Sequence, residues 1–230
     1  MNKEHLGMLE DKKFVDLKNS KDRDRFYRKF TDEQRLLFES IRDNIFTYVE
    51  AKAGCAKTST TMSAMVDLLA NNEIDKIIYI QKPSQRYLSQ GYLPGDIDTK
   101  CDLLWGAFYD AMLDLGISPD MITTMINNNQ IELTTNVSLR GINISNSGVI
   151  IDEGQNIDYQ TIKLIFTRCH DDCHIVLLGD KEQKDNRGIN TYFVEYGKYL
   201  SSSGLGNKCV LTRNFRGKFS KLAEDFTKKD

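Results

Sequence analysis

The sequence contains no long apolar stretch, and this limits where the protein can reside. No run of about 18 apolar residues occurs in the 230 residues, and the opening segment MNKEHLGMLEDKK lacks the apolar centre of a signal peptide. We therefore expect a protein that neither spans a membrane nor is secreted. The five cysteines are odd in number and scattered, which favours free thiols in a reduced cytoplasm over a disulfide framework.

The sequence also has little net charge, because its 31 Lys and Arg nearly balance its 33 Asp and Glu. The formal net charge of −2 provides no global attraction to nucleic acid, so any such contact must come from a local patch. Residues 1–30 carry nine Lys or Arg against six Asp or Glu, a balance of 9 − 6 = +3, with Phe26, Tyr27 and Phe30 interleaved. We interpret them as a charged N-terminal extension. It is either a solvated segment that packs a few aromatic rings on the domain or an arm that touches a neighbouring subunit or nucleic acid.

Histidine is rare, and the segment 169–174 holds two of the three, beside two cysteines. It lies between a predicted helix and a predicted strand. A structural zinc site needs ligands from two separated clusters, and no second Cys/His pair exists in the sequence. We therefore predict a polar turn here and no metal site.

What the sequence does contain is the composition of a globular domain. It is 40% hydrophobic and 28% charged, and its length suits one sizeable domain, which we assign to residues 31–230. Helical spacing of apolar residues also predicts a final helix with four inward side chains: Phe219, Leu222, Ala223 and Phe226.

The strongest motif is the stretch Phe46–Thr60, FTYVEAKAGCAKTST. A β-branched and aromatic run predicts a buried strand, a small-residue loop follows, and a helical period begins at Thr58. Strand, loop, Lys-Thr and helix form the context of a phosphate-binding loop, whose N–H groups and helix terminus hold a polyphosphate. The candidate binding residues are Ala53, Gly54, Cys55, Ala56, Lys57, Thr58 and Ser59. Alanine replaces the usual glycine at position 56, and a small-residue turn without nucleotide is the alternative.

A second motif lies about 95 residues further on, a natural separation for two strands of one parallel sheet. The apolar run 147–151 ends in Asp152 and Glu153, as in a Walker B element. Asp152 would hold Mg²⁺ together with Thr58, and Glu153 would polarise the attacking water. Gln155 follows at the spacing of an amide that senses the γ-phosphate.

Two further segments extend this site. A third strand ends in Gly179-Asp180-Lys181-Glu182-Gln183, and we expect Asp180 and Gln183 to couple the γ-phosphate to the domain. Thr31 or Asp32 begins a helix just upstream of the first strand. The amide of Gln34 in that helix would read the adenine edge, with a surface glutamine as the alternative.

With these motifs in order, the sequence resembles the PhoH-like family over about residues 31–227. The most specific segments are GYLPGDIDTKCDLLWGAFYDAM (91–112) and IELTTNVSLRGINISNSGVIIDEGQN (131–156), with Arg140-Gly141, Thr167-Arg168 and Arg216 at further family positions. The sequence departs from the family at Ala56, Lys82 and Asn214-Phe215. The resemblance implies an α/β, RecA-like P-loop NTPase fold related to superfamily 1 helicases, with a mostly parallel sheet and helices on both faces. It also implies ATP and Mg²⁺ as ligands and a role with RNA; the divergence would suit a bacteriophage-encoded member acting in the host cytoplasm.

Two functions follow. The first is an ATPase in which Lys57, Glu153 and Gln183 act on the phosphate, and Arg168 or Arg216 supplies an arginine finger from a neighbouring subunit. That arrangement predicts a homo-oligomer such as a hexameric ring. The second is an ATP-dependent switch with little turnover, which Ala56 favours. A complete helicase monomer would need two such domains, and we expect one. Single-stranded RNA or DNA would contact Lys82, Arg86, Lys100 or the segment 23–29.

Overall fold

The computed structural model describes residues 30–82, 104–135, 143–183, 192–219 and 222. Six helices and six strands have both ends in this part of the chain, together with a short 3-10 helix at Gly154–Asn156. In chain order they are α1 (Asp32–Asp43), β1 (Phe46–Ala51), α2 (Lys57–Ala70), β2 (Lys76–Gln81), α3 (Gly106–Asp114), α4 (Pro119–Asn127), β3 (Ile131–Thr134), β4 (Ser147–Asp152), α5 (Tyr159–Phe166), β5 (His174–Gly179), α6 (Phe193–Ser201) and β6 (Gly206–Leu211).

The six strands form one parallel sheet in the order β3-β2-β4-β5-β1-β6. Strand β5 lies between β1, which leads into the small-residue loop, and β4, which ends in Asp152. Glu50 on β1 pairs with Gly179 on β5, and Gln81 on β2 pairs with Asp152 on β4. The carboxyl ends of these strands therefore lie at one edge of the sheet, where open α/β sheets bind ligands.

Helices cover both faces of this sheet, and each face has its own apolar cluster. Helices α1 to α4 pack on one face with alternate strand residues such as Val49, Ile77 and Ile150. Helices α5 and α6 pack on the other face with the intervening residues, among them Ile78 and Ile151. Because both faces are buried, the central strands are apolar at nearly every position. The predicted α/β fold with a parallel sheet and helices on both faces is confirmed.

The helix starts follow from short polar side chains. Of the two predicted N-cap candidates, Thr31 is the N-cap of α1, and it forms a capping box with Gln34. Ser118 caps α4 with Pro119 in its first turn, and Asp158 caps α5. The lone tryptophan, Trp105, is 7% exposed and packs at the start of α3.

The prediction that the last apolar residues face inward is wrong for the two that the structure describes. Phe219 is 89% exposed and Leu222 is 65% exposed. The edge strand β6 that precedes them is itself largely exposed, with Val210 47% exposed, and neither side chain belongs to an apolar cluster of the sheet. Ala223 and Phe226 lie outside the described residues, as do residues 1–29, the segment 83–103 and Arg140-Gly141.

None of the described helices combines the length and apolar character needed to cross a bilayer.

Candidate nucleotide-binding site

The loop between β1 and α2 has the backbone of a phosphate-binding loop, and we call residues 51–58 the P-loop. Gly54 has φ +78°, and Ala56 has φ 55° and ψ 33°, the left-handed conformation that glycine adopts most easily. Within the described part of the chain, no side chain caps α2, which begins at Lys57, so its first N–H groups are available to an anion. Alanine therefore adopts the conformation that glycine adopts without strain, at a cost of about 1–2 kcal/mol.

Asp152 lies at the centre of a hydrogen-bond cluster beside this loop. The Thr58 hydroxyl donates to Asp152 Oδ2 at 3.1 Å, and the Glu153 backbone N–H donates to Oδ1 at 2.7 Å. Asp152 is only 1% exposed. The contact joins the first turn of α2 to the end of β4, and it brings together the two residues that the sequence predicts as the Mg²⁺ site.

A third hydrogen-bond donor to Asp152 is Tyr79, which the sequence does not predict as a site residue. The Tyr79 phenol donates to Oδ2 at 2.5 Å from the neighbouring strand β2. Burial and then the Asp152 carboxylate raise the pKa of Tyr79 well above its usual range, so the hydroxyl stays protonated and remains a donor. The only sequence signal is one tyrosine in an otherwise aliphatic run.

Glu153, the residue after Asp152, has a left-handed backbone conformation. It has φ 53°, and this turn directs the chain into the 3-10 helix that carries Gln155. Gln155 Nε2 donates to Glu153 Oε2 at 2.5 Å, and Lys57 Nζ lies 3.9 Å from Glu153 Oε1. Lys57 and Glu153 are thus paired across the site in this structure.

The buried amide of Gln155 also reaches β5. Its Oε1 accepts the Asp180 backbone N–H at 3.0 Å. Gly179 leaves room for this contact, because a Cβ there would overlap Gln155 Oε1 and lie 2.9 Å from Phe193 Cζ. The ends of β4 and β5 are therefore joined through one side chain.

Asp180 and Gln183 form the turn after β5. Asp180 is 4% exposed and accepts the Glu182 backbone N–H through Oδ1 at 2.9 Å. The Gln183 N–H donates to the Asp180 carbonyl at 3.1 Å, and its side chain is exposed. Asp180 thus shapes the turn, while Gln183 lies at the surface.

The segment Thr212–Arg216 crosses the P-loop, and we call it the strap. The Phe215 N–H donates to the Gly54 carbonyl at 2.8 Å. A Cβ on Gly54 would lie 2.9 Å from Asn214 Oδ1 and 3.0 Å from Arg216 Cγ, so only glycine allows this close approach. Arg216, a predicted finger from a neighbouring subunit, therefore lies beside the P-loop of its own chain.

The strap is also tied to α1. Thr212 donates to Glu33 twice, from its backbone N–H at 2.8 Å and from its hydroxyl at 2.6 Å. The hydroxyl bond is the largest factor that lowers the pKa of Glu33. Arg213 lies over the exposed ring of Phe215, with the guanidinium 5.3 Å from the ring centroid.

Gln34 is buried and reaches the P-loop indirectly. Its Nε2 donates to the Thr60 hydroxyl at 3.2 Å, and that hydroxyl donates to the Ala56 carbonyl at 2.9 Å. Its Oε1 accepts the Thr31 N–H at 3.0 Å. In this conformation the amide links α1 to α2.

Three other predicted binding residues, two in the P-loop and one in the first turn of α2, have different surroundings. Ala53 is half-buried, whereas Cys55 is 1% exposed and packs into the core. The Ser59 hydroxyl donates to Asp114 on α3 at 2.8 Å. The side chain of Ser59 therefore ties α2 to α3.

Arg168 lies at the opposite edge of the sheet. Its carbonyl accepts the Ile144 N–H at 2.8 Å, and Ile144 precedes the amino end of β4, whereas Asp152 is at the carboxyl end. Ser147 and Asp152 are five positions apart along β4, about 16 Å at 3.3 Å per residue. Arg168 is thus remote from the P-loop of its own chain.

The Cys/His segment 169–174 is a turn, as predicted. The thiols of Cys169 and Cys173 each donate to a backbone carbonyl at 3.4 Å, and His174 Nδ1 lies 2.8 Å from the Ile41 carbonyl oxygen. Within the described residues no cluster of three His, Cys, Asp or Glu side chains could hold a metal ion.

Two lysines form ion pairs with Glu50, on the strand that leads into the P-loop. Lys181 Nζ lies 2.6 Å from Glu50 Oε1, and Lys208 Nζ lies 2.8 Å from Oε2. The hydrogen bond from Lys181, followed by that from Lys208, lowers the pKa of Glu50. This glutamate on β1 is therefore joined to residues from β6 and from the turn after β5.

The donor atoms at the site suit Mg²⁺ and a polyphosphate. A hydroxyl oxygen and a carboxylate oxygen 3.1 Å apart are hard ligands of the kind that Mg²⁺ takes beside phosphate oxygens. An uncapped helix N-terminus and Lys57 next to them suit the phosphates themselves. The parallel sheet, the P-loop and the acidic end of β4 together define a RecA-like P-loop α/β fold.

The chain belongs to the PhoH-like family. The family model, described as PhoH-like protein, matches residues 28–200. A PhoH-like protein of Synechocystis is 30% identical over 155 residues, which cover 67% of this chain and 47% of that protein. The PhoH-like protein of Bacillus subtilis is 29% identical over 152 residues, covering 66% and 47%, and Protein PhoH of Escherichia coli K12 is 28% identical over 153 residues, covering 66% and 43%. The chain thus spans about half the length of the curated relatives it matches.

One solved structure with a similar fold is the Sulfolobus solfataricus SWI2/SNF2 ATPase core in complex with dsDNA. Its TM-score is 0.41 at 16% sequence identity, over 82% of this chain and 45% of that one.

Proposed function

We propose that the protein binds ATP with Mg²⁺ and hydrolyses the bond between its β- and γ-phosphates, releasing ADP and phosphate. The observation that carries this proposal is the contact of 3.1 Å between Thr58 and Asp152, next to the pair of Lys57 and Glu153. At the carboxyl edge of the parallel sheet, the P-loop thus lies beside two oxygen ligands for Mg²⁺, the Lys57 ammonium and the Glu153 carboxylate.

Each of these residues has a separate task in the proposed reaction. The P-loop N–H groups and Lys57 bind the phosphates, and Thr58 and Asp152 hold Mg²⁺, which supplies charge neutralisation for the transferring phosphoryl group. Glu153 orients the attacking water and accepts its proton. Gln155 keeps the Glu153 carboxylate in place and, through Asp180, connects it to β5.

Arg216 is the arginine that we assign to the γ-phosphate. It packs against Gly54 of its own P-loop, whereas Arg168 is on the far edge of the sheet. A charge that develops on the phosphate would thus be met by a residue of the same chain. Arg168 would reach a nucleotide only in a neighbouring subunit, if the amino edge of one subunit's sheet lay against the P-loop of the next, as in a hexameric ring.

The test is steady-state ATP hydrolysis by the purified protein, beside Lys57→Ala and Glu153→Gln. We expect both substitutions to abolish turnover, Lys57→Ala by weakening ATP binding and Glu153→Gln with binding retained. Hydrolysis by Glu153→Gln at the wild-type rate would overturn the role of Glu153. An absence of ATP binding by the wild type would overturn the proposal as a whole.

A switch with little turnover is the second candidate, and Ala56 favours it. The Ala56 methyl group lies on a backbone in the left-handed region, at the P-loop position where backbone and phosphate approach closely. Tight ATP binding with negligible kcat, restored neither by RNA nor by Ala56→Gly, would support this function.

Single-stranded nucleic acid is the partner that we propose. Lys82 is the one predicted contact residue among those described, and its ammonium lies 3.5 Å from Asp158. Phosphate contacts predict binding that weakens steeply with salt. Undetectable binding of single-stranded RNA and DNA at low salt would contradict this.

A further inference from the structure

We infer that Tyr79 is a positioning residue that orients Asp152 for Mg²⁺ and strengthens the coupling between Mg²⁺ and nucleotide. The inference rests on the proposed function, because it concerns the Mg²⁺ ligand of that site. It is carried by the hydrogen bond of 2.5 Å from the phenol to Asp152 Oδ2.

The register of the sheet puts Tyr79 under the carboxylate. Tyr79 pairs with Ile150 and Gln81 pairs with Asp152, so Tyr79, Ile150 and Asp152 project to the same face of the sheet. Tyr79 is two positions further from the carboxyl edge than Asp152. A tyrosine side chain spans this offset, so its hydroxyl meets the carboxylate from the core side.

The ring is held firmly. Tyr79 is 0% exposed, and its ring contacts Trp105 and Phe108, with ring centroids 6.2 Å and 5.5 Å away. A ring packed in this way presents its hydroxyl in one direction. The phenol is therefore a fixed donor, whereas Thr58 belongs to a loop that must also receive a ligand.

The two hydroxyls that share Asp152 Oδ2 have different consequences for the site. When the Thr58 hydroxyl ligates Mg²⁺, Asp152 can lose the hydrogen bond that Thr58 donates to it. The Tyr79 bond and the Glu153 N–H bond to Oδ1 then remain to fix the carboxylate. Hydrogen bonds to a metal-ligating group commonly change metal affinity tenfold or more when they are removed.

Tyr79→Phe removes only the hydroxyl and keeps the ring against Trp105 and Phe108. The chain offers a matched control in Tyr48→Phe. Tyr48 is also 0% exposed and lies in a strand, but on the other face of the sheet, and its buried hydroxyl has no hydrogen-bond partner among the described residues. Removing that hydroxyl tests the loss of a buried phenol without any contact to Asp152.

The measurement is the calorimetric Kd of a non-hydrolysable ATP analogue in EDTA and in saturating Mg²⁺, for the wild type and both variants. The ratio of the two constants is the coupling between Mg²⁺ and nucleotide. We expect Tyr79→Phe to reduce this ratio by about tenfold, with the Kd in EDTA within about twofold of the wild type. Tyr48→Phe should leave the ratio unchanged.

The outcomes separate this inference from the proposed function. A wild type that binds no nucleotide overturns the proposed function and, with it, the inference. A wild type with normal coupling and a Tyr79→Phe variant with the same ratio overturn the inference alone. Equal weakening of binding in EDTA and in Mg²⁺ also overturns it, because a general structural defect would act on both. Trp105 emission, from the only tryptophan of the chain, reports whether the packing around residue 79 survives.

Discussion

Gln155 and Glu153 are joined by a hydrogen bond of 2.5 Å, and the other end of the same amide accepts the Asp180 N–H. Glu153 has a left-handed backbone, so its own peptide geometry does not favour the position it occupies. The amide of Gln155 is thus what connects the orientation of this carboxylate to the neighbouring strand.

Gln155→Ala should therefore lower kcat for ATP hydrolysis by about tenfold. A hydrogen bond to a charged group contributes about 1.5–3 kcal/mol, and a loss of about 1.4 kcal/mol in the transition state is tenfold in rate. The Kd of Mg·ATP should stay within about threefold, since Gln155 does not belong to the P-loop. Gln130→Ala is a control at the amino edge of the sheet, where the Gln130 carbonyl accepts the Ile77 N–H. An unchanged kcat in Gln155→Ala would contradict the role of the amide.

Ala56→Gly should raise the free energy of unfolding by about 0.5–1 kcal/mol. Alanine in the left-handed region is strained by about 1–2 kcal/mol, and the greater freedom of glycine in the unfolded chain offsets part of the gain. Urea denaturation of the apoprotein measures the change. Ala70→Gly, at the end of α2, should have the opposite sign, because glycine in a helix costs about 0.5–1 kcal/mol relative to alanine. Equal destabilisation by both substitutions would show that Ala56 is not strained.

Arg216→Ala should lower kcat, and mixing it with Lys57→Ala should not restore activity. If Arg216 acts on the P-loop of its own chain, every subunit in the mixture lacks either Arg216 or Lys57, so no intact site can form. An arginine that acts on a neighbour would regenerate intact sites at subunit contacts. ATPase assays on the separate and mixed variants distinguish the two. Rescue on mixing would return Arg216 to the role of a finger from another subunit.

Glu50→Gln should destabilise the protein at pH 7 by about 1 kcal/mol and have little effect in acid. The pKa of Glu50 is lowered in the folded state by hydrogen bonds from Lys181 and Lys208, so its stabilising contribution is fully present above the unfolded pKa. That contribution is lost as the pH falls below about 4.5 and through the folded pKa. Urea unfolding at pH 7 and at low pH tests this.

A matched control for Glu50 is Glu182→Gln. Glu182 forms an exposed pair with Lys52 at 3.4 Å, which should contribute less than the half-buried Glu50. A difference between Glu50→Gln and wild type that is the same at both pH values would contradict the expected linkage.

Much of the site follows from local sequence patterns. Lys57 and Thr58 are identified by the change from a strand pattern to a helical period, and Asp152 and Glu153 by two acids that end an apolar run. The fold class is what the resemblance to the PhoH-like family implies, and apolar strands that alternate with helices fit a parallel sheet covered on both faces. The sequence predicts that Thr58 and Asp152 form one site, and the structure places them 3.1 Å apart.

The parts that escaped depend on the register between strands distant in sequence. Tyr79 meets Asp152 only because β2 lies beside β4 in one particular register, which no local pattern in either strand reveals. The strap reaches Gly54 because β6 lies next to β1. The prediction of inward Phe219 and Leu222 failed because helical spacing does not show whether the fold offers an apolar surface for those side chains to cover.

The position of the P-loop strand also has a consequence for the order in which the protein is made. β1 is an early strand of the chain, yet its two neighbours are β5 and β6, which begin at His174 and Gly206. During translation, both edges of β1 stay unpaired until these late segments have left the ribosome. We expect that a stalled nascent chain released before residue 206 lacks one partner of β1 and the strap over Gly54, and that nucleotide binding is acquired only after β6 and the strap have emerged.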